Sequence, residues 1–565
     1  MIITTKNYKQ FLLLFWCSLT FTFSSVAQSD HTGKRRVSSA YAITNTNLFS
    51  SPEKSQTKVT IIIKDGLIHE IGPNPTIPSE AQLIQGDSLF VYAGFIDPAG
   101  DMGVSKPDEP NRPSDFDSSN PADEFAGITP YRNVMDQFDA KNSKIEEWRK
   151  LGFTVTQLIP DGGMLPGKTS VIVLGDPNNP NLLAQNTALS AKFTGARGMY
   201  PATTLGVMSK FREIYQNATL SSRHENLFAS NAGLKRPAKN KTYEAFYPTL
   251  DKSIPIIFEV SNELEMRRAI KLQKELGFDL VLAGVQDGEE VIPSLIDANA
   301  KVLFSLQLPE DKASKSEPKE DAEEQAKRID RVKESYEKSL KQAGIFEDAG
   351  IPFAFHTKGA KSGDMIKNIR LMIENGLSES AALAALTVNG AKILGIEKMA
   401  GTIEKGKLAN LVLLTDTLFK EEAQIKHVLA DGYLFDYDIK PKKNGKKENG
   451  DGDVSIEGKW RYTSSTPAGS SEGEMNFSKV ADDYTGTITL DNPTGSGTLK
   501  PEMKEISLSG NKLSFSFEVN VQGNNLSIQV SGEVDGEEFS GSMSVAEFGS
   551  FPLDATKVPE NAIKL

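Results

Sequence analysis

A chain of 565 residues is too long for one hydrophobic core and predicts about three folding units. Its 38% hydrophobic and 24% charged content is ordinary for a soluble protein. The net charge of −12 excludes sequence-independent binding to nucleic acid, which needs a basic surface.

The N-terminus carries Lys6 and Lys9, an apolar run from Phe11 to Phe23, and then Ser25-Val26-Ala27. That order predicts a secretory signal peptide, residues 1–27, with cleavage after Ala27 and a periplasmic or secreted mature protein. No later stretch is long and apolar enough to predict a membrane span. Cys17, the only cysteine, lies inside the apolar run. The mature chain therefore has no thiol nucleophile, disulfide or cysteine-ligated metal.

From Tyr41 the pattern becomes short strands, over 41–49, 59–64, 67–71 and 82–85, with Asp65-Gly66 as a hairpin turn. An apolar strand from Leu89 to Ile96 then runs into Asp97 and a Pro-Ala-Gly turn. Beyond it, strands near 153–159, 169–174, 254–259, 280–283, 302–308 and 351–355 are interleaved with helical segments such as 145–152, 264–276 and 364–375. Alternation of this kind predicts a parallel sheet with helices outside. Residues 104–130 and 309–328 read as insertions, the second leading into a helix from Ile329. Strands return at 411–414, 425–429 and 433–435. The lysine- and glycine-rich stretch 438–453 reads as a linker, with a basic interaction patch as the alternative. Residues 454–565 alternate as a small β-barrel or sandwich and carry eight basic against sixteen acidic residues, most of the chain's net charge.

Three stretches resemble the amidohydrolase superfamily, in its exported bacterial branch. Gly94-Phe95-Ile96-Asp97 is similar to the family's first barrel strand. Thr387–Gly395 is similar to its threonine, asparagine, alanine, leucine-glycine helix, and Gly401–Leu414 to its return strand, with Asn410 where the family usually has Asp. The resemblance spans about residues 41–436 and implies a (β/α)8 barrel over 96–400. It also implies a flanking β-sandwich built from both sides of the barrel, 28–95 and 401–437. The implied chemistry is metal-dependent hydrolysis of C–N bonds in cyclic amides, ureas or dipeptides, using a divalent metal such as zinc.

The implied ligands are largely missing. Where the family has two histidines after strand one stand Ala99 and Asp101; Glu259 stands after the 254–259 strand, and Ala283-Gly284 after 280–283. Lys358 falls where the catalytic Asp is expected, and the strand-four lysine has no evident position. Of five histidines only His356 lies at a barrel strand end, and one histidine cannot rebuild a three-histidine site. Two readings follow. In one the metal is lost, Asp97 caps local backbone, Glu259 is a solvated carboxylate, and the protein binds a small molecule or partners an intact paralogue. In the other, Asp101, Glu259 and His356 form an altered site, for an oxygen-favouring cation such as Mg²⁺, Ca²⁺ or Mn²⁺ or for metal-free acid–base work. The Gly/Pro-rich turn 161–168 offers backbone NH groups and Lys168 to an anion, or is simply a tight connection.

Overall fold

The structure, a computed structural model, describes residues 34–36, 40–108, 110–178, 181–309, 323–439, 455–466, 469–480, 483–491, 497–521, 524–545 and 549–558. The expected signal peptide, residues 1–27, and residues 440–453 of the expected linker lie outside these residues. The chain divides into two compact units, up to residue 442 and from 443 onward. No described helix is long and apolar enough to cross a membrane.

The flanking β-unit is composite, as its sequence implies. In one nine-stranded sheet, Phe90–Ala93 pairs antiparallel with Leu411–Leu414, so segments more than 300 residues apart share a ladder. Asp65 and Gly66 both take positive φ at the tip of the Lys54–Lys64/Leu67–Gly72 hairpin, as a two-residue turn with the right twist requires. Ile43, Ile61, Ile63, Leu411 and Leu413 form its buried core.

The expected single strand from Leu89 to Ile96 is broken at Gly94. Residues before it belong to the flanking sheet, and residues after it open the barrel with β1 (Phe95–Gly100). A side chain at Gly94 would lie 2.2 Å from Thr154 Oγ1, so only glycine lets the chain pass between the two layers here. Its amide is held by the Asn410 carbonyl at 2.8 Å.

The barrel continues with β2 (Phe153–Leu158), β3 (Gly167–Val173), β4 (Asn181–Lys192), β5 (Ile256–Glu259), β6 (Leu280–Val285), β7 (Lys301–Ser305) and β8 (Phe353–His356). The eight strands follow one another in sheet order. β3 runs antiparallel to both β2 and β4, and the other neighbouring pairs are parallel. The 161–166 turn therefore replaces a crossover helix. Outside pack α1 (Ser143–Lys150), α2 (Thr204–Ser230), α3 (Glu263–Leu276), α4 (Ile292–Asp297), α5 (Glu323–Asp348), α6 (Met365–Glu374), α7 (Glu379–Leu386) and α8 (Val388–Leu394). Local signals fix several ends: Asn262 and Ser378 side chains cap α3 and α7, and Gly277 leaves α3 in the left-handed conformation.

One buried side chain contributes most of the hydrogen bonds that close the barrel. Asp97 in β1 is fully buried and accepts four hydrogen bonds: from the Thr357 amide (3.1 Å) and hydroxyl (2.6 Å) just beyond β8, from the Thr156 hydroxyl of β2 (3.0 Å) and from the Ala99 amide (3.1 Å). The Lys358 amide adds a bond to the Ala99 carbonyl at 3.1 Å. Asp97 thus ties β1 to both neighbours, beyond the local capping expected of it.

The second unit is an antiparallel meander of eight strands, from Gly458–Thr466 to Gly549–Lys557, the last pairing with the first. The Met503 amide donates to the Gly486 carbonyl at 2.8 Å across the remaining gap. Inward aromatic residues, among them Trp460, Phe477, Phe515 and Phe517, fill the interior, as an eight-stranded barrel permits.

Candidate functional site at the barrel mouth

Alternation along a strand sends every second side chain into the barrel. The inner core holds Ala99, Ala188, Ile257, Ala283, Leu303 and Ala354. Continuing each row toward the C-terminal ends brings Lys192 from β4, Glu259 from β5 and Lys358 from just after β8 to one rim. That rim is where barrel enzymes place function.

These side chains form a chain of ion pairs. Lys358 Nζ lies 2.8 Å from Glu259 Oε2, Lys192 Nζ lies 3.4 Å from Glu259 Oε1, and Lys192 also reaches Asp161, beyond β2, at 3.2 Å. The Lys192, Glu259 and Lys358 side chains are only 12%, 20% and 19% exposed, so solvent screens these charges less than it screens a surface pair. Burial alone would lower the Lys192 ammonium, but Glu259 and Asp161 together outweigh it and hold its pKa above the usual lysine value. Burial pushes Asp161 up, and Lys192 and the Gly162 amide more than reverse this, leaving it below the usual carboxylate range. Glu259 is thus not the solvated strand-end carboxylate of the first sequence reading. The β4–β5 register places it directly beside Lys192.

His356 sits one inward step below Lys358. It is 3% exposed, and its ring nitrogens make no well-directed hydrogen bond among the described residues, the Ala99 backbone being the one group that interacts with them in this way. Burial, followed by the Lys358 charge, lowers its pKa to about 3, so the imidazole is neutral at physiological pH. Ser190 occupies the matching position below Lys192, fully buried with an unpartnered hydroxyl. Asp101 is half-buried after β1, and no hydrogen bond or ion pair joins it to Glu259 or His356. Of the three residues singled out from sequence, Glu259 and His356 come to one mouth and Asp101 is not bound into it.

Sequence reading missed Lys192, and took Asp161 only as part of the Gly/Pro-rich 161–168 turn. The segment NLLAQNTALSAK has no β-branched run, so β4 carried little strand propensity. The available signal was the period-two alternation Ala188, Ser190, Lys192 against Leu189, Ala191, Phe193. The 161–168 turn is the tight connection. Gly163 packs on Gly127, where an added Cβ would meet Gly127 Cα at 2.5 Å, and the Gly162 amide donates to Asp161 at 2.8 Å. The Lys168 amide donates to the Arg132 carbonyl, and burial lowers the pKa of its ammonium.

A divalent metal does not fit this donor set. Ala99 and Ala283 have no ligating side-chain atom, the Lys358 ammonium fills the strand-eight position, and Glu259 is taken up by two lysines. Among the described residues, no group of three His, Cys, Asp or Glu side chains is placed to hold a metal ion. A separate cleft of about 380 Å³, lined by residues including Leu295, Lys301, Ile351 and Lys392, lies at the opposite end of β7 and β8, away from the mouth.

Comparison with known proteins agrees with this architecture. The sequence profile of the amidohydrolase family matches residues 315–435. Over 103 residues the chain is 35% identical to adenine deaminase 2 of Jannaschia sp. (strain CCS1), a match covering 17% of this chain and 16% of that protein. The fold is similar to an amidohydrolase from Thermotoga maritima MSB8, with a TM-score of 0.57 at 18% identity, covering 71% of this chain and 100% of that one. An Xaa-Pro dipeptidase with methionine bound in its active site aligns over 71% of this chain and 100% of its own, at 18% identity and a TM-score of 0.42.

Proposed function

We propose that the chain is an exported member of the amidohydrolase superfamily, whose family profile matches residues 315–435, and that ion pairs replace the metal centre in it. Its barrel mouth then serves binding, or an altered chemistry, in place of metal-dependent C–N hydrolysis. The observation that carries this is the Lys358–Glu259 contact of 2.8 Å at the rim, with Ala99 at a strand-one ligand position. An ammonium so placed satisfies the buried carboxylate that a metal would otherwise need, and repels any divalent cation that approaches it. The export reading rests on Lys6, Lys9, the Phe11–Phe23 run and Ser25-Val26-Ala27. The ligand in this reading is a small molecule. A non-catalytic role beside an intact paralogue is the second reading, favoured by the same loss of ligands.

A bound metal stabilises the native state by an amount that grows with the logarithm of its free concentration over Kd, about 2.7 kcal/mol at a hundredfold excess. The melting temperature of the mature protein is therefore expected to be the same in EDTA and in zinc or manganese. Cyclic ureas and dipeptides are expected to remain intact in all three conditions. A stabilisation by zinc accompanied by turnover would overturn the reading.

A further inference from the structure

Two buried side chains at the mouth, Ser190 and His356, make no directed hydrogen bond among the described residues, while Glu259 Oε1 and Lys358 Nζ meet only ion-pair partners. The ion-pair contact of Lys358 with Glu259 is close but not directed as a hydrogen bond. Buried polar groups left without a hydrogen bond are costly, so Ser190 and His356 mark a place able to receive a polar guest. Two lysines and a carboxylate also supply the elements of amine chemistry. One cation, Lys192, is pinned between Asp161 and Glu259, while the other, Lys358, shares only Glu259, which is within reach of its proton.

We propose that Lys358 captures the carbonyl of a small hydroxy-aldehyde or hydroxy-ketone as a protonated imine. Glu259 takes a proton from the Lys358 ammonium, and the freed amine attacks the carbonyl carbon, forming the C–N bond. The carbinolamine oxygen then leaves as water, taking the proton held on Glu259 and a second proton from nitrogen. Ammonium and carbonyl thus become protonated imine and water, with no redox partner and no metal. Lys192 keeps its charge and positions Glu259. Ser190 and neutral His356, one inward step behind the two lysines, receive the guest's hydroxyl as donor and acceptor. The step rests on the metal-free reading of the mouth.

The test is reductive trapping of the full mature chain with glycolaldehyde and cyanoborohydride, mapped by peptide mass spectrometry, with metal content measured on the same preparation. Labelling at Lys358 is expected to exceed that at exposed lysines such as Lys150 and Lys252 by about tenfold. Acetaldehyde, which lacks the hydroxyl, is expected to label Lys358 less. Glu259→Gln is expected to erase the preference, and Lys358→Arg to remove the adduct. Labelling of surface lysines with none at Lys358 would overturn the proposal in the wild-type protein alone, whatever the variants do. Equal labelling of Lys358 in Glu259→Gln would overturn the role of Glu259. If the protein is metal-free and Lys358 is unlabelled, carbonyl capture fails while the metal-free reading stands.

Discussion

Replacing Asp97 by Ala is expected to destabilise the barrel unit by about 4 kcal/mol, measured by chemical denaturation. The change strands two backbone amides and two hydroxyls in a dry interior, at about 1–3 kcal/mol for each group that finds no substitute. Thr156 and Thr357 hydroxyls can rotate to other acceptors, but the Thr357 and Ala99 amides cannot. Asn at this position keeps an oxygen for the two amides and presents its NH2 to the two hydroxyls, which can accept. Asp97→Asn is therefore expected to recover most of the loss. A loss below about 1 kcal/mol in Asp97→Ala would show that closure does not depend on this carboxylate.

The same substitution separates two opposed titrations. Burial, only partly countered by its four donors, raises Asp97 from 3.8 to about 6. Its contribution to stability is thus fully present below pH 3.8 and is lost as pH rises through 6. His356, lowered to about 3 from 6.5, does the reverse: its contribution is present above 6.5 and is lost as pH falls through 3. Between about pH 4 and 6 the native state holds one more proton at Asp97 and one fewer at His356 than the unfolded chain, so the two slopes cancel. Asp97→Asn removes one of them. Its stability is expected to climb by about 1.4 kcal/mol per pH unit across that window, while these two groups leave the wild type level.

The second large effect concerns the rim. Glu259→Met leaves Lys358 and Lys192 facing each other with only Asp161 as a carboxylate, and Lys358→Met leaves Glu259 with Lys192 alone. Breaking a fully buried pair costs about 3–5 kcal/mol, and the partial exposure of this one reduces the expectation to about 2 kcal/mol for each single change. The double change replaces the pair by apolar side chains of similar length. It is expected to cost no more than either single change, a coupling of about 2 kcal/mol in a double-mutant cycle. Additive losses would mean that the two side chains do not interact in solution.

Legibility in the sequence followed the physical nature of each signal. Ser378, Gly277 and the Asp65-Gly66 turn act through their own backbone, so helix ends and hairpins could be placed from neighbours alone. The composite sheet was expected from the family resemblance of Thr387–Gly395 and Gly401–Leu414, and the apolar strand Leu411–Leu414 does pair with Phe90–Ala93. The break at Gly94 was hidden, because it exists only against Thr154, some sixty residues away. The antiparallel course of β3 was hidden for a related reason, since a short Gly/Pro-rich turn gives no direction until its flanking strands are paired. At the site, absence was the clear signal: Ala99 and Lys358 could be seen to be poor ligands one residue at a time. The replacement was not visible, because Lys192, Glu259, Asp161 and Lys358 are brought together by barrel closure and lie up to about 200 residues apart. No local pattern encodes such a meeting.

In the proposed reading, these ion pairs stand in place of a metal. Elemental mass spectrometry of mature protein, purified without chelators or a histidine tag and incubated with zinc, manganese and magnesium, tests it most directly. Far less than one equivalent of any of these metals per chain is expected after desalting. One or two equivalents of a transition metal, lost on mutating Glu259 or His356, would contradict it.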